Sequence, residues 1–260
     1  MIREWEKMMF LAAKTVDTPK TLLTFDRKSG EVDGFEYLFF KMGWQKGVNS
    51  GINERGLVIL SSYAGTRLPA NERLIDTRGE ANEYILKNCS DVSSALQKLE
   101  SYFITYPSEV GGIHFIMDES GKMGVLEHEP GIKLAAKTVM ADYIIRANEP
   151  LLLKANSSDT VQWADRRLRY EYTESSLQGF AQSLEIAKIQ TLLGSHLTGE
   201  EKQIGQLCIH DFPNEGSRSK DMENHSTETA LIFDIKNRQM IYSDGPPCHH
   251  KWCVLAIEGS

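Results

Sequence analysis

Two short turns constrain this fold more than anything else in the sequence. Asp118-Glu119-Ser120-Gly121 lies between the apolar runs Ile113–Asp118 and Met123–His128, and Lys236-Asn237-Arg238 lies between Thr229–Ile235 and Gln239–Ser243. Connections this short join antiparallel neighbours, because a parallel pair needs a crossover of about a dozen residues or more. Further strand-length runs, rich in β-branched and aromatic residues, occur at Met8–Ala13, Thr21–Phe25, Leu57–Tyr63, Tyr143–Ala147 and Cys253–Ile257.

Two helical stretches interrupt the strands. Between Glu80 and Tyr102, Ala81, Tyr84 and Ile85, then Val92, Ala95, Leu96 and Leu99, recur at helical spacing, with Ser90 or Asp91 placed to cap the second half. The second stretch runs from about Thr160 to Leu193 with a break near Gly179, and offers Trp163, Leu168, Tyr170, Leu184, Ile186 and Leu193 to a core. Strands toward both ends with helices grouped between them predict an α+β fold in a single domain over residues 1–260. The Gly-, Ser-, Glu- and His-rich region from Gly194 to Thr227 is expected to be mostly loop.

Composition excludes several function classes. A net charge of −7 with no cluster of Lys and Arg speaks against nucleic acid and against anionic membrane surfaces. No run approaches the roughly 20 apolar residues of a membrane span, and Met1 to Phe10 is broken by Arg3, Glu4, Glu6 and Lys7, so a cytoplasmic protein is expected. Cys89, Cys208, Cys248 and Cys253 are too few and too irregular for a disulfide framework, and reduced thiols are expected.

A series of short motifs then occurs in a telling order. Gly51-Ile52-Asn53-Glu54-Arg55-Gly56-Leu57 is followed by the Ala81–Leu99 helices, by Asp118-Glu119-Ser120-Gly121 with Val125-Leu126-Glu127, and by Asn148-Glu149-Pro150. Asp165-Arg166-Arg167-Leu168-Arg169-Tyr170, Cys208-Ile209-His210 and Gly245-Pro246-Pro247-Cys248 complete it. The series resembles the acyl-CoA:6-aminopenicillanic-acid acyltransferase and choloylglycine hydrolase families of N-terminal-nucleophile (Ntn) hydrolases. That resemblance implies a four-layer αββα sandwich of two antiparallel sheets, and a reaction at the carbonyl carbon of a small acylated amine or acyl donor, with no cofactor and no metal.

In those families an N-terminal cysteine is nucleophile and, through its own amine, general base, while an aspartate and an arginine orient it and an asparagine stabilises the oxyanion. By resemblance Asp26, in Leu23-Thr24-Phe25-Asp26, takes the place of the aspartate in "R-N-x-D", Asn148 that of the asparagine, and Arg166 that of the arginine in "S-x-R". Ser61 and Ser62, with the adjoining Tyr63, fall near a second asparagine of the bile-salt enzymes and are taken as substrate-binding. Met8 stands where the cysteine is expected, and a thioether has no proton to lose. Thr15, Thr18 and Thr21 are substitute nucleophiles only if cleavage removes the first strand, which they should share as one hairpin.

Plainer readings stand beside these. Asp26 suits a hairpin turn, Asn148 a strand end before Pro150, and Arg166, Arg167 and Arg169 a solvated helix face. Cys208 with His210 reads as a core cysteine beside a polar histidine or as a nucleophile and base. Cys248-His249-His250-Lys251-Trp252-Cys253 is dense in metal-ligand types but lacks zinc-ribbon spacing, so a turn and a strand are expected there. The expected function is a diverged amide hydrolase or acyltransferase. The alternative is a non-catalytic ligand-binding or assembly subunit, and the sequence leaves a homo-oligomer open.

Overall fold

The computed structural model describes residues 9–18, 23–28, 34–67, 75–153, 160–180, 183–196, 204–210, 226–249 and 251–257. In chain order these form strands β1 (Leu11–Thr18), β2 (Leu23–Lys28), β3 (Tyr37–Met42), β4 (Ser50–Asn53) and β5 (Val58–Arg67), then helices α1 (Arg78–Asn88) and α2 (Val92–Thr105). Strands β6 (Val110–Met117), β7 (Met123–His128) and β8 (Leu134–Val139) follow, then α3 (Thr160–Phe180), α4 (Ile186–Leu193), β9 (Ser226–Asp234), β10 (Gln239–Ser243) and β11 (Trp252–Ala256).

All pairings between named strands are antiparallel. A seven-stranded sheet runs β2 through β8 in sequence order, while a four-stranded sheet is ordered β1-β9-β10-β11. Side-chain alternation decides what lies between the layers. On β9, Leu231 and Phe233 face the larger sheet and meet Leu38, Phe40, Ile52, Val58 and Leu60. Ala230 and Ile232 face the other way and pack on Ile189 and Leu193 of α4. On the far side of the larger sheet, Val92, Ala95, Leu96, Leu99 and Phe103 form the buried stripe of α2. Their spacing is helical, and each large side chain removed from water there contributes about 1.5–3 kcal/mol. The layers are therefore helix, sheet, sheet, helix, as the sandwich reading expects.

Both hairpin turns form. Asp118 accepts from the Ser120 and Lys122 backbone amides and from Val92 N at 3.0 Å, so one carboxylate closes the β6–β7 turn and holds the start of α2. Asp91 caps α2 through Ser94 N. The helical breaks fall at Cys89–Asp91 and between Phe180 and Ile186.

Three expectations are corrected. Tyr143–Ala147 is irregular instead of a strand, because Arg146 turns back to the buried Glu127 and the backbone takes no strand partner. Thr15 and Thr18 do not share a hairpin with the next strand: β1 pairs with β9 in the smaller sheet and β2 with β3 in the larger. Leu168 and Leu184 are exposed, at 42% and 36%, and the core contacts of the second helical stretch come from Leu177, Phe180, Ile186, Ile189 and Leu193. Met8 and Thr21 lie outside the described residues.

Candidate active site

β1 alternates between the two neighbouring layers. Leu11 and Ala13 pack toward α4, whereas Ala12 and Val16 pack between the sheets. Lys14 shares the inter-sheet face and reaches the larger sheet, donating from Nζ to Asn49 Oδ1 at 2.9 Å and to the Ser61 carbonyl at 2.6 Å. Burial pushes its pKa down to about 8, with Asp17 opposing and Arg78 reinforcing that fall.

A bulge between Val16 and Asp17 shifts the β1–β9 register and re-aims the next side chain. Asp17 accepts from Thr227 Oγ1 at 2.6 Å and lies 3.8 Å from Arg169 Nη1. Burial raises its pKa above the usual carboxylate range, opposed chiefly by Arg169 and by the Thr227 hydrogen bond.

Arg169 joins the pieces. On α3 it sits four residues after Asp165, one turn along the same face, and binds that carboxylate at 2.8 Å. It also donates to Asn148 Oδ1 at 3.4 Å. Asn148 is left-handed, with φ 61°, a conformation that asparagine tolerates better than most residues. Its amide Nδ2 donates to the Tyr63 carbonyl at 3.1 Å. Glu127, buried on β7, fixes this turn by accepting from Arg146 and from the backbone amides of Leu151, Leu152 and Leu153 at 3.0, 2.6 and 3.1 Å. A carboxylate with four donors is a strong anchor in a dry site.

Of the residues expected from sequence, the structure gathers Asn148, Tyr63 and Arg166. Burial lowers the Arg166 pKa and Arg169 adds to this, while Glu149 and Tyr63 oppose it. Ser61 is buried and bonds the Asn49 carbonyl at 3.1 Å; the hydroxyl of Ser62 is buried without a hydrogen-bond partner among the described residues. Asp26 is placed elsewhere, exposed on edge strand β2 opposite Phe39. Asp17 is a second carboxylate beside Arg169, after Asp165, and the one that acts on Lys14. Sequence reasoning passed over Lys14 and Asp17, and left Arg169 as a solvated face. A signal existed: Lys14-Thr15-Val16-Asp17 has a basic residue, a polar residue and an aspartate at the spacing of "R-N-x-D", and Arg169-Tyr170 fits the motif's arginine and following tyrosine.

Behind Lys14 a buried polar line crosses the larger sheet. Asn82 of α1 donates to the carbonyls of Val48 and Asn49 and to Ser61 Oγ. With its amide so committed, its Oδ1 accepts from His114 Nδ1 at 2.8 Å, and His114 Nε2 faces His128 Nε2 at 3.3 Å under a stacked Phe103. Burial lowers both imidazole pKa values, that of His128 to about 4, so the pair is neutral at pH 7.

Two antiparallel sheets between helical layers, with a polar cluster where β1, β5 and α3 meet, define an Ntn-hydrolase fold. Solved structures agree. One variant of the conjugated bile acid hydrolase from Clostridium perfringens superposes with a TM-score of 0.57 at 11% identity over 96% of this chain and 89% of that one. A second variant of that hydrolase gives 0.54, also at 11% identity, over 96% and 94%. The Caenorhabditis elegans ortholog of N-acylethanolamine-hydrolyzing acid amidase gives 0.51 at 10% identity over 86% and 87%. A search of curated proteins found no sequence match. The sequence profile of the acyl-coenzyme A:6-aminopenicillanic acid acyl-transferase family matches residues 11–197, and the chain belongs to that family. Among the described residues no helix is long and apolar enough to cross a membrane.

Proposed function

We propose that this chain is an amide hydrolase or acyltransferase-type protein that takes a small acylated amine at the cluster of Lys14, Asp17, Asn148 and Arg169. The observation that carries this reading is the position of Arg169, which touches Asn148 and approaches Asp17, joining the turn after β8 to the bulged end of β1. Asn148 offers an amide N–H, now spent on the Tyr63 carbonyl, that an acyl oxygen could accept. Lys14 and Asp17 set the charge of the cluster, and Arg166 and Tyr63 add to it. These groups orient and polarise; none of them is an attacking thiolate.

In this reading Asp17 takes the role that the motif resemblance gave to Asp26. The nucleophile position moves with it, because Met8 precedes Asp26 by 18 residues but Asp17 by only 9. Met8 then does not stand at that position.

The test is a panel of acylated amines followed by turnover and by ligand-induced thermal shift, on Asp17→Asn, Asp26→Asn and Asn148→Ala. Asp17→Asn and Asn148→Ala are expected to abolish the response, with a loss of about 10²–10³-fold for an oxyanion donor. Asp26→Asn is expected to leave it intact. A response lost in Asp26→Asn and retained in Asp17→Asn would refute the assignment. Binding without turnover in the unmodified chain would make it a binding protein on the same site.

A further inference from the structure

Outside this cluster, the described residues contain a second convergence of reactive side chains. His196 follows α4, Cys208 and His210 lie on the bent segment 204–210, and Cys248 lies in the connection between β10 and β11. One ligand atom from each lies within 4.8 Å of every other. Cys248 Sγ is 3.3 Å and Cys208 Sγ 3.8 Å from His210 Nε2. A tetrahedral zinc ion, with bonds of about 2.0–2.3 Å to nitrogen and sulfur, holds its ligand atoms about 3.3–3.8 Å apart. The cluster already stands close to that geometry.

The surroundings suit such a site. His196 Nδ1 faces Gln206 Oε1 at 3.4 Å, an outer contact that leaves Nε2 for a metal. Cys208 is fully buried, His210 and Cys248 are half-buried, and His196 is exposed, so the ligand set runs from the interior to the surface. Gly194 lets the segments approach, since a Cβ there would come within 3.1 Å of the Pro247 carbonyl and 3.2 Å of Cys248.

We propose that His196, Cys208, His210 and Cys248 form a Cys2His2 site for a zinc-like divalent cation. With four protein ligands and no open position, the site is structural. It ties the end of α4, the 204–210 segment and the β10–β11 connection into one unit. The tie reaches the candidate active site: Ile209 pairs with Thr227 through two bonds of 2.9 Å, and Thr227 holds Asp17. This set differs from the contiguous Cys248–Cys253 stretch, where the sequence predicts a turn and a strand. Cys253 lies on β11 paired with Tyr242, and the partners of Cys248 come from two other segments.

The full chain is purified under reductant, stripped with chelator and titrated with Co(II), then with Zn(II) in competition. One Co(II) per chain should bind, with the intense visible bands of a tetrahedral thiolate complex and a higher melting temperature. Cys248→Ser should bleach the thiolate bands. His196→Ala, at an exposed position that leaves the fold intact, should weaken Zn(II) binding by ~100-fold or more, beyond the 10–100-fold cost of a lost outer partner. Absence of thiolate bands in the fully reduced chain overturns the site, as does a Co(II) spectrum that survives both substitutions. Native mass spectrometry that finds a Cys208–Cys248 disulfide re-forming in preference to metal uptake, under matched redox buffer, also counts against it.

Discussion

The two sheets are built by opposite logics. In the seven-stranded sheet each strand pairs with its neighbour in sequence, from β2 to β8, and the helices inserted between β5 and β6 return to cover it. In the four-stranded sheet β1, at the start of the described chain, pairs residue by residue with β9, so that Leu11 meets Asp234 and Thr18 meets Ser226. Local pairings close small loops, while β1–β9 must close a loop spanning nearly the whole chain before any contact rewards it. The larger sheet is thus expected to form first and the smaller to dock late. The candidate active site lies on that late junction, where Lys14 of the smaller sheet bonds Asn49 and the Ser61 carbonyl on the larger.

The largest test of this contrast is Phe233→Ala. Phe233 is fully buried between the sheets, and the substitution is expected to cost about 3–5 kcal/mol in urea unfolding. Late docking requires that most of this loss appear as faster unfolding with little change in the folding rate. A folding rate that falls in step with stability would break the contrast.

Acid is expected to strike the larger sheet. His128 is buried with its pKa lowered from 6.5 to about 4, so the unfolded chain binds a proton across that window that the folded chain refuses. Stability is complete above pH 6.5 and declines as pH falls toward 4, by about 3 kcal/mol for His128 at 1.36 kcal/mol per pH unit, with His114 acting in the same direction. Urea midpoints across this range should show the decline, and His128→Gln should flatten it. An unchanged pH profile in that variant would assign the acid response to other groups.

The smallest effect belongs to a local signal. Asp91→Ala removes the cap on α2 and should cost about 1 kcal/mol, read as a shift in the same unfolding midpoint with an unchanged slope. A much larger loss would mean that Asp91 also braces the turn against Asp118, a less local arrangement than the cap alone.

The sequence by itself determined the local elements. Asp118 to Gly121 and Asp234 to Gln239 specify hairpins through turn chemistry, Ser90 or Asp91 starts a helix, and the spacing from Val92 to Leu99 fixes its buried face. Motif order was enough to point to the family and its sandwich, because several motifs in one fixed order constrain topology more than any single match does. The structure decided what local patterns cannot encode. Lys14 and Asp17 lie beyond the expected run Met8–Ala13, and only pairing with β9 and the bulge after Val16 turn them toward Asn49 and Thr227. Asp26 looked equivalent in sequence but sits on an exposed edge, because β1 and β2 enter different sheets. Cys248 gained His196, Cys208 and His210 as neighbours only through loop closure at one end of the smaller sheet. Propensity and period act over a few residues, whereas these sites depend on which strand lies beside which, and that is settled by burying two sheet faces against each other.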